Sequence, residues 1–311
     1  MTQNSQQQHA SAKDDTLIGT TPSAGVEPRE EWIDIRPAEG GQCLHIRRWL
    51  GSSQPFVLLH GLASNARTWE GVARHLAAAG HPVVTVDQRG HGRSDKPTGG
   101  YDFDTIAGDL ARLLDVLAIE QPIVAGQSWG GNVVLDFGAR HPQRAAGLVF
   151  VDGGYIDLQT RPDATWEQTA EQLRPPDLIG TPQVHLKTRI QQAHPDWTEE
   201  GIDAMLSNFE TLPDGTIRPW LTLERHMRIV RAMWEQRPRE LYPFVQAPVL
   251  IAVAEDRSNP TWMAVKHQQV DAAATLLPHS TVHWFADTAH DIHVHRPAAL
   301  AALMLQWSTS V

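Results

Sequence analysis

The sequence predicts an α/β fold: a mostly parallel central sheet flanked by helices, with a helical cap inserted after the sixth strand. Three observations predict it. Short, continuous apolar runs at 55–59, 82–86, 123–125, 148–151, 249–253 and 281–285 alternate with helical patterns, which is how parallel strands buried on both faces are written. Between 155 and 243 that rhythm stops, and the segment is helix-like, polar and punctuated by prolines. One strand also runs directly into the turn Gly126-Gln127-Ser128-Trp129-Gly130-Gly131, with a helical pattern over 132–140 behind it.

The elements follow in chain order. Residues 1–30 are rich in Gln, Ser and Thr and read as a disordered tail. They lack the basic and apolar regions of a signal peptide. Alternating residues at 32–36 and 43–49 predict a leading antiparallel hairpin, with Gly40-Gly41 between its arms. Strand 55–59 is followed by a helix over 69–79 that Gly80 ends as a C-cap. Strand 82–86, a polar turn over 87–97 and a helix over 103–117 come next. Strand 123–125 leads into the serine turn, and strand 148–151 closes the first half. The core is thus expected at 31–154 and 244–311 and the cap at 155–243, with Trp166, Trp197, Trp220 and Trp234 scattered through it. Strands 249–253 and 281–285 and a final helix over 297–307 complete the core.

Composition narrows the function. The 311 residues are 41% hydrophobic, enough for a substantial core. The net charge of −10 argues against non-specific nucleic-acid binding. Cys43 is the single cysteine, so an internal disulfide and a thiolate metal site are excluded. It is expected as a small buried residue on an early strand. No apolar run reaches membrane-spanning length, and a cytoplasmic protein is expected.

The chemistry centres on Ser128. Between a strand and a helix, this serine turn has the form of a nucleophile elbow. A serine hydroxyl needs a base, and the base an orienting acid. Loops at the carboxyl ends of parallel strands converge on one rim, so acid and base are sought just after later strands. Asp256, after strand 249–253, is the leading acid, and Asp152, after strand 148–151, is its rival. Glu255 should point away from its neighbour Asp256. His290, after strand 281–285, is the leading base. His293 and His295 follow it at metal-like spacing, but no carboxylate or cysteine cluster completes a site, so no metal is expected. The backbone N–H groups of Trp129 and Leu62 are the expected oxyanion donors. Trp129 and His60 are expected to line the substrate pocket, His60 mainly as a brace for its loop.

Together these residues resemble the α/β-hydrolase superfamily, in its capped serine-esterase-like branch. The resemblance spans 32–311, weakly in the cap. It rests on Leu58-Leu59-His60-Gly61, the run from Asp87 to Asp95 (DQRGHGRSD), the elbow, and His290 with Pro297 after it. It implies the α/β-hydrolase fold, a Ser-His-Asp mechanism through an acyl-enzyme, and no cofactor. In that light His91 is a scaffold or site-wall residue. Relatives often carry histidine where Gln127 stands and glycine where Ala289 stands. Haloalkane dehalogenases and epoxide hydrolases of this fold use aspartate at the elbow, which Ser128 argues against. Proline iminopeptidases share Ser-Trp-Gly, but their Gly-Gly-Pro-Gly run is here Gly61-Leu62-Ala63-Ser64.

The expected function is a serine hydrolase of the carboxylesterase type, cleaving an ester or lactone of a small to medium apolar substrate. Ser128, Asp256 and His290 would be its catalytic residues. A small-molecule substrate is the expected partner, with no nucleic acid and no membrane, and the oligomeric state stays open. Iminopeptidase, carbon–carbon hydrolase and perhydrolase activities share the triad. A ligand-binding receptor of the same fold is the non-enzymatic alternative.

Overall fold

The computed structural model describes residues 27–36, 38, 40–161, 163–256 and 260–311. The expected tail therefore falls outside the described residues up to position 26. Strands β1 (Arg29–Asp34) and β2 (Cys43–Trp49) form the leading antiparallel hairpin. The pairing begins earlier than the alternation from Trp32 suggested, because Arg29 opposite Arg48 already belongs to the ladder. Trp32 is half exposed and rests on His45, with ring centroids 4.8 Å apart. Cys43, expected to be buried, is partly exposed at the start of β2.

Next come β3 (Phe56–Leu59), α1 (Glu70–Ala78), β4 (Val83–Val86), α2 (Phe103–Val116), β5 (Ile123–Gln127), α3 (Trp129–Arg140) and β6 (Gly147–Val151). Gly80 lies just past α1 at φ +93°, a left-handed conformation that ends the helix without a Cβ clash. Asp102 caps α2 by accepting from the Thr105 N–H at 2.8 Å.

After β6 the chain leaves the sheet for α4 (Trp166–Gln172), β7 (Thr181–Pro182), α5 (Gln183–Ala193), α6 (Glu199–Leu206), β8 (Phe209–Thr211), β9 (Thr216–Pro219), α7 (Leu223–Glu235) and α8 (Pro238–Leu241). The insert is thus not purely helical: β7, β9 and β8 form a small antiparallel sheet. These strands have two to four residues, too short to show a strand period. The chain returns through β10 (Val249–Glu255), α9 (Pro260–Leu276), β11 (Ser280–Ala286), α10 (Ile292–His295) and α11 (Pro297–Ser308). Helix α9 is absent from the sequence reading.

The main sheet has the order β1-β2-β4-β3-β5-β6-β10-β11. Its pairs are parallel from β4 to β11 and antiparallel at β1–β2 and β2–β4. The apolar strands serve two cores at once. Val57, Leu59, Val124, Leu148, Phe150, Ile251 and Val253 face the layer of α2, α3 and α9. Phe56, Leu58, Ile123, Ala125, Val149, Leu250 and Ala252 face α1 and α11. Period-2 alternation survives inside runs that read as uniformly apolar.

The insert is tied down over the carboxyl ends of the strands. Asn65, after β3, donates to Ala204 O at 2.9 Å. Arg225 donates to Lys96 O at 2.7 Å, after β4. Asn132 of α3 donates to Gln236 Oε1 at 2.7 Å and to Ile156 O at 2.8 Å. Among the described residues, no helix is long and apolar enough to cross a membrane.

Candidate active site

Ser128 sits between β5 and α3 at φ +54°, ψ −123°, a strained conformation for a residue with a side chain. Close packing holds it there. Its N–H donates to Val151 O at 2.9 Å, and its carbonyl accepts from Gly131 N–H at 2.9 Å. A Cβ at Gly126 would overlap the Gly130 carbonyl, and one at Gly153 would overlap the Ser128 carbonyl. Only glycine permits these approaches. Trp129 opens α3, so its N–H has no carbonyl partner within the helix.

The loop after β3 lies against this turn. A Cβ at Gly61 would stand 3.2 Å from the Cβ of Ser128. Two buried histidines fix that loop. Gln88 N–H donates to His60 Nε2 at 3.0 Å, so His60 Nδ1 carries the proton and donates to Gly61 O at 2.7 Å. Ala63 N–H donates to His91 Nε2 at 3.2 Å, so His91 Nδ1 donates to Arg89 O at 2.9 Å. Both rings are thereby committed to one neutral tautomer. Asp87 knots the surrounding segments together, accepting from Ala66 N–H at 2.7 Å, Arg93 N–H at 2.9 Å and His45 Nδ1 at 2.8 Å.

His290, on the loop between β11 and α10, points Nδ1 at Asp152 Oδ2, 2.7 Å away. Its side chain is half exposed, whereas that of Asp152 is 1% exposed. Oδ1 of Asp152 accepts from Tyr155 OH at 2.5 Å and Ala254 N–H at 3.1 Å, and Lys266 Nζ reaches both oxygens at 2.9 and 2.8 Å. Burial would raise the Asp152 pKa, but the bond and charge of His290, with Lys266, outweigh it and hold the carboxyl at about 2. For His290 burial works downward, and the bond and charge of Asp152 overcome it, so the ring titrates above its ordinary value.

The partner of His290 corrects the expectation of Asp256. Strands β6 and β10 are neighbours, with Ala252 opposite Val151. Asp152 follows Val151 directly, but β10 runs on through Glu255. Asp256 therefore lies about 10 Å farther along the strand direction than Asp152, three residues at the usual rise, and it is exposed. The pocket expectation also changes. Trp129 and His60 are wholly buried, Trp129 stacked on His91 with ring centroids 5.3 Å apart. Their rings pack behind the loop and do not line a pocket in this conformation. Gln127, noted only as a departure, bridges the elbow to the His290 loop: its amide donates to His290 O at 3.4 Å and Asp291 Oδ1 at 3.3 Å.

The other two histidines diverge from His290. His293 is buried against Trp69 at 4.8 Å, and His295 Nε2 lies 2.5 Å from Asp196. Among the described residues, no group of three His, Cys, Asp or Glu gathers as a metal site.

A family model for the α/β-hydrolase fold matches residues 54–297. The chain belongs to the α/β-hydrolase family. Among curated relatives, the chain is 39% identical over 100 residues to a putative non-heme chloroperoxidase of Synechocystis sp., covering 31% of this chain and 36% of the relative. It is 39% identical over 113 residues to epoxide hydrolase B of Mycobacterium tuberculosis, covering 34% and 32%. The chain thus spans about a third of the length of these relatives. Among solved structures it resembles an E-2-(acetamidomethylene)succinate hydrolase at TM-score 0.75 and 22% identity, covering 91% and 99% of the two chains. It also resembles an esterase from Exiguobacterium antarcticum at TM-score 0.68 and 19% identity, covering 89% and 98%.

The site's buried groups make stability pH-dependent. Burial holds His60, His91 and His293 below the ordinary histidine value, His293 at about 3. Unfolding frees them to take up protons below about pH 6.5. Stability of this chain is therefore expected to be full above about pH 7 and to fall towards pH 5. Asp152 and Asp87, both held at about 2 against the pull of burial, add a second loss between about pH 4 and pH 2. The raised value of His290 works the other way: its contribution is present below about pH 6.5 and fades above. Urea midpoints at pH 8, 6.5, 5 and 3.5 measure the profile. No loss between pH 8 and 5 would contradict the neutral buried histidines.

Proposed function

We propose that this chain is a serine hydrolase that cleaves a carboxylic ester or lactone of a small to medium apolar substrate. One observation carries the reading: a serine held at a strained elbow, with a half-exposed histidine on the same rim whose Nδ1 is bonded to a buried aspartate. In the proposed mechanism Ser128 Oγ attacks the acyl carbon and His290 Nε2 takes its proton. Asp152 keeps the ring in the correct tautomer and stabilises the imidazolium. The N–H groups of Leu62 and Trp129 receive the developing oxyanion. His290 then protonates the leaving alcohol, and a water activated by His290 releases the acid from Ser128.

The proposed cap, 155–243, contributes apolar side chains to the core that continues beneath the loop after β3. Leu221, Ile229 and Met233 belong to the same cluster against which Leu62 and Ala63 pack. This favours an apolar acyl or alcohol group. Ser128, where an attacking carboxylate would be needed, disfavours epoxide opening. A cytoplasmic setting remains part of the same proposal.

The test is covalent and catalytic together. Incubation with a p-nitrophenyl alkylphosphonate should add one phosphonyl group, mapped by mass spectrometry to Ser128. A p-nitrophenyl ester series should show multiple turnovers with an optimum at short or medium acyl length. Labelling with turnover only on a proline arylamide or a β-diketone would replace the esterase reading by a peptidase or carbon–carbon hydrolase. A single turnover with tight ligand retention would favour the receptor.

A further inference from the structure

Lys266 is a lysine where a helix should be apolar. It lies on α9 in the stripe Met263, Lys266, Val270, Ala273, all of it buried, and is itself 4% exposed. Its Nζ is spent entirely at the site: 2.9 and 2.8 Å from the two oxygens of Asp152 and 3.0 Å from Ala254 O. Burying a long charged side chain is expensive in desolvation and in lost rotamers. Satisfying Asp152 does not require it, since Tyr155, Ala254 and His290 already supply three donors.

We propose that Lys266 is a positioning residue of the triad: it locks the Asp152 carboxylate in place and shares its negative charge with His290, so that the imidazole stays available as a free base near neutral pH. The proposal rests on the reading of Asp152 and His290 as members of a catalytic triad. Lys266 Nζ and His290 Nδ1 are both hydrogen-bonded to Oδ2 of Asp152. They are therefore no more than about 5.5 Å apart, close enough for like charges to repel although the imidazole is half exposed. With Asp152 alone beneath it, the ring would be a stronger base and would remain protonated to higher pH. Opposing charge from Lys266 counters that, in the same direction as its effect on the His290 titration.

Asp291, next in the chain, favours the protonated ring, and it interacts in turn with His194 of the insert. His293, which interacts with His290, and His60 are both held below the ordinary histidine value by burial. Tyr155 stays protonated against Asp152. Among the described residues, Lys266 is the basic side chain that pairs with Asp152 and opposes the pull of Asp152 and Asp291 on this ring.

The experiment is a titration of the His290 ring by long-range proton–nitrogen NMR on the full chain, for wild type, Lys266→Met, Lys266→Gln and Lys266→Arg. Removal of the charge in the Met and Gln variants should raise the His290 midpoint by about one unit. The acid limb of kcat/KM should move with it, giving about tenfold lower kcat/KM below the midpoint. Arginine should restore the wild-type midpoint. Lys266→Gln keeps a hydrogen-bond donor and carries the test where Lys266→Met fails to fold. A folded Met or Gln variant with the wild-type midpoint would overturn the proposal and leave Lys266 a structural ion-pair partner. The titration does not depend on turnover. An inactive wild type would defeat the hydrolase reading, while the midpoints would still decide the effect of Lys266 on the ring.

Discussion

Ser128→Ala is expected to lower kcat/KM on a p-nitrophenyl ester by about 10⁶-fold. Without Oγ there is no covalent step, and only oxyanion stabilisation and binding remain, which typically retain about 10³-fold over water. The fold should survive. Alanine removes one oxygen from a turn held by the Val151 carbonyl and the Gly131 and Asn132 N–H groups, all of which bond the Ser128 backbone. Binding of a non-hydrolysable ester analogue should therefore be kept while phosphonate labelling disappears. Residual turnover within a factor of ten of wild type would remove Ser128 from the mechanism.

The second large effect is at the acid. Asp152→Asn is expected to cost about 10⁴-fold in kcat/KM, because an amide neither enforces the correct tautomer of His290 nor stabilises its protonated form. Asp256→Asn should stay within about threefold of wild type, as expected of an exposed carboxylate away from the base. Stability must be separated from chemistry here. Asn at 152 leaves Lys266 buried without its carboxylate, a change that typically costs about 3–5 kcal/mol. The double variant Asp152→Asn/Lys266→Met removes both charges and should recover most of the thermal midpoint but none of the activity. Full activity in Asp152→Asn, or its loss in Asp256→Asn, would restore Asp256 as the acid.

Much of this molecule is legible one segment at a time. The strand runs carry their own signal because a parallel strand is apolar on both faces, and the observed β3, β4 and β6 differ from the reading by at most a residue at either end. Ser128 is legible because the elbow needs a local pattern: a strand, three glycines at fixed offsets and a helix. The place of His290 on the loop after β11 is legible from chain order.

Helix α9 was less legible, since its buried stripe carries Lys266 and Gln269 among the apolar residues. That irregularity was the available signal for Lys266: a charged residue at a buried helical position needs a partner, and the partner here is Asp152. Burial of Trp129 and His60 could not be read either, because groups distant in the chain cover them: the Gln88 N–H bonds His60 and the His91 ring stacks on Trp129.

The succession of strands along the chain and the strand–turn–helix form around Ser128 are thus written in local patterns. The choice between Asp152 and Asp256 is not. Both are aspartates after apolar strands, and they differ only in stagger. Pairing places Ala252 beside Val151 and carries β10 onward to Glu255, so one carboxylate ends beneath His290 and the other stands beyond it. Stagger between neighbouring strands is set by how their side chains pack against shared helices, which is a property of the assembled sheet and of no single segment.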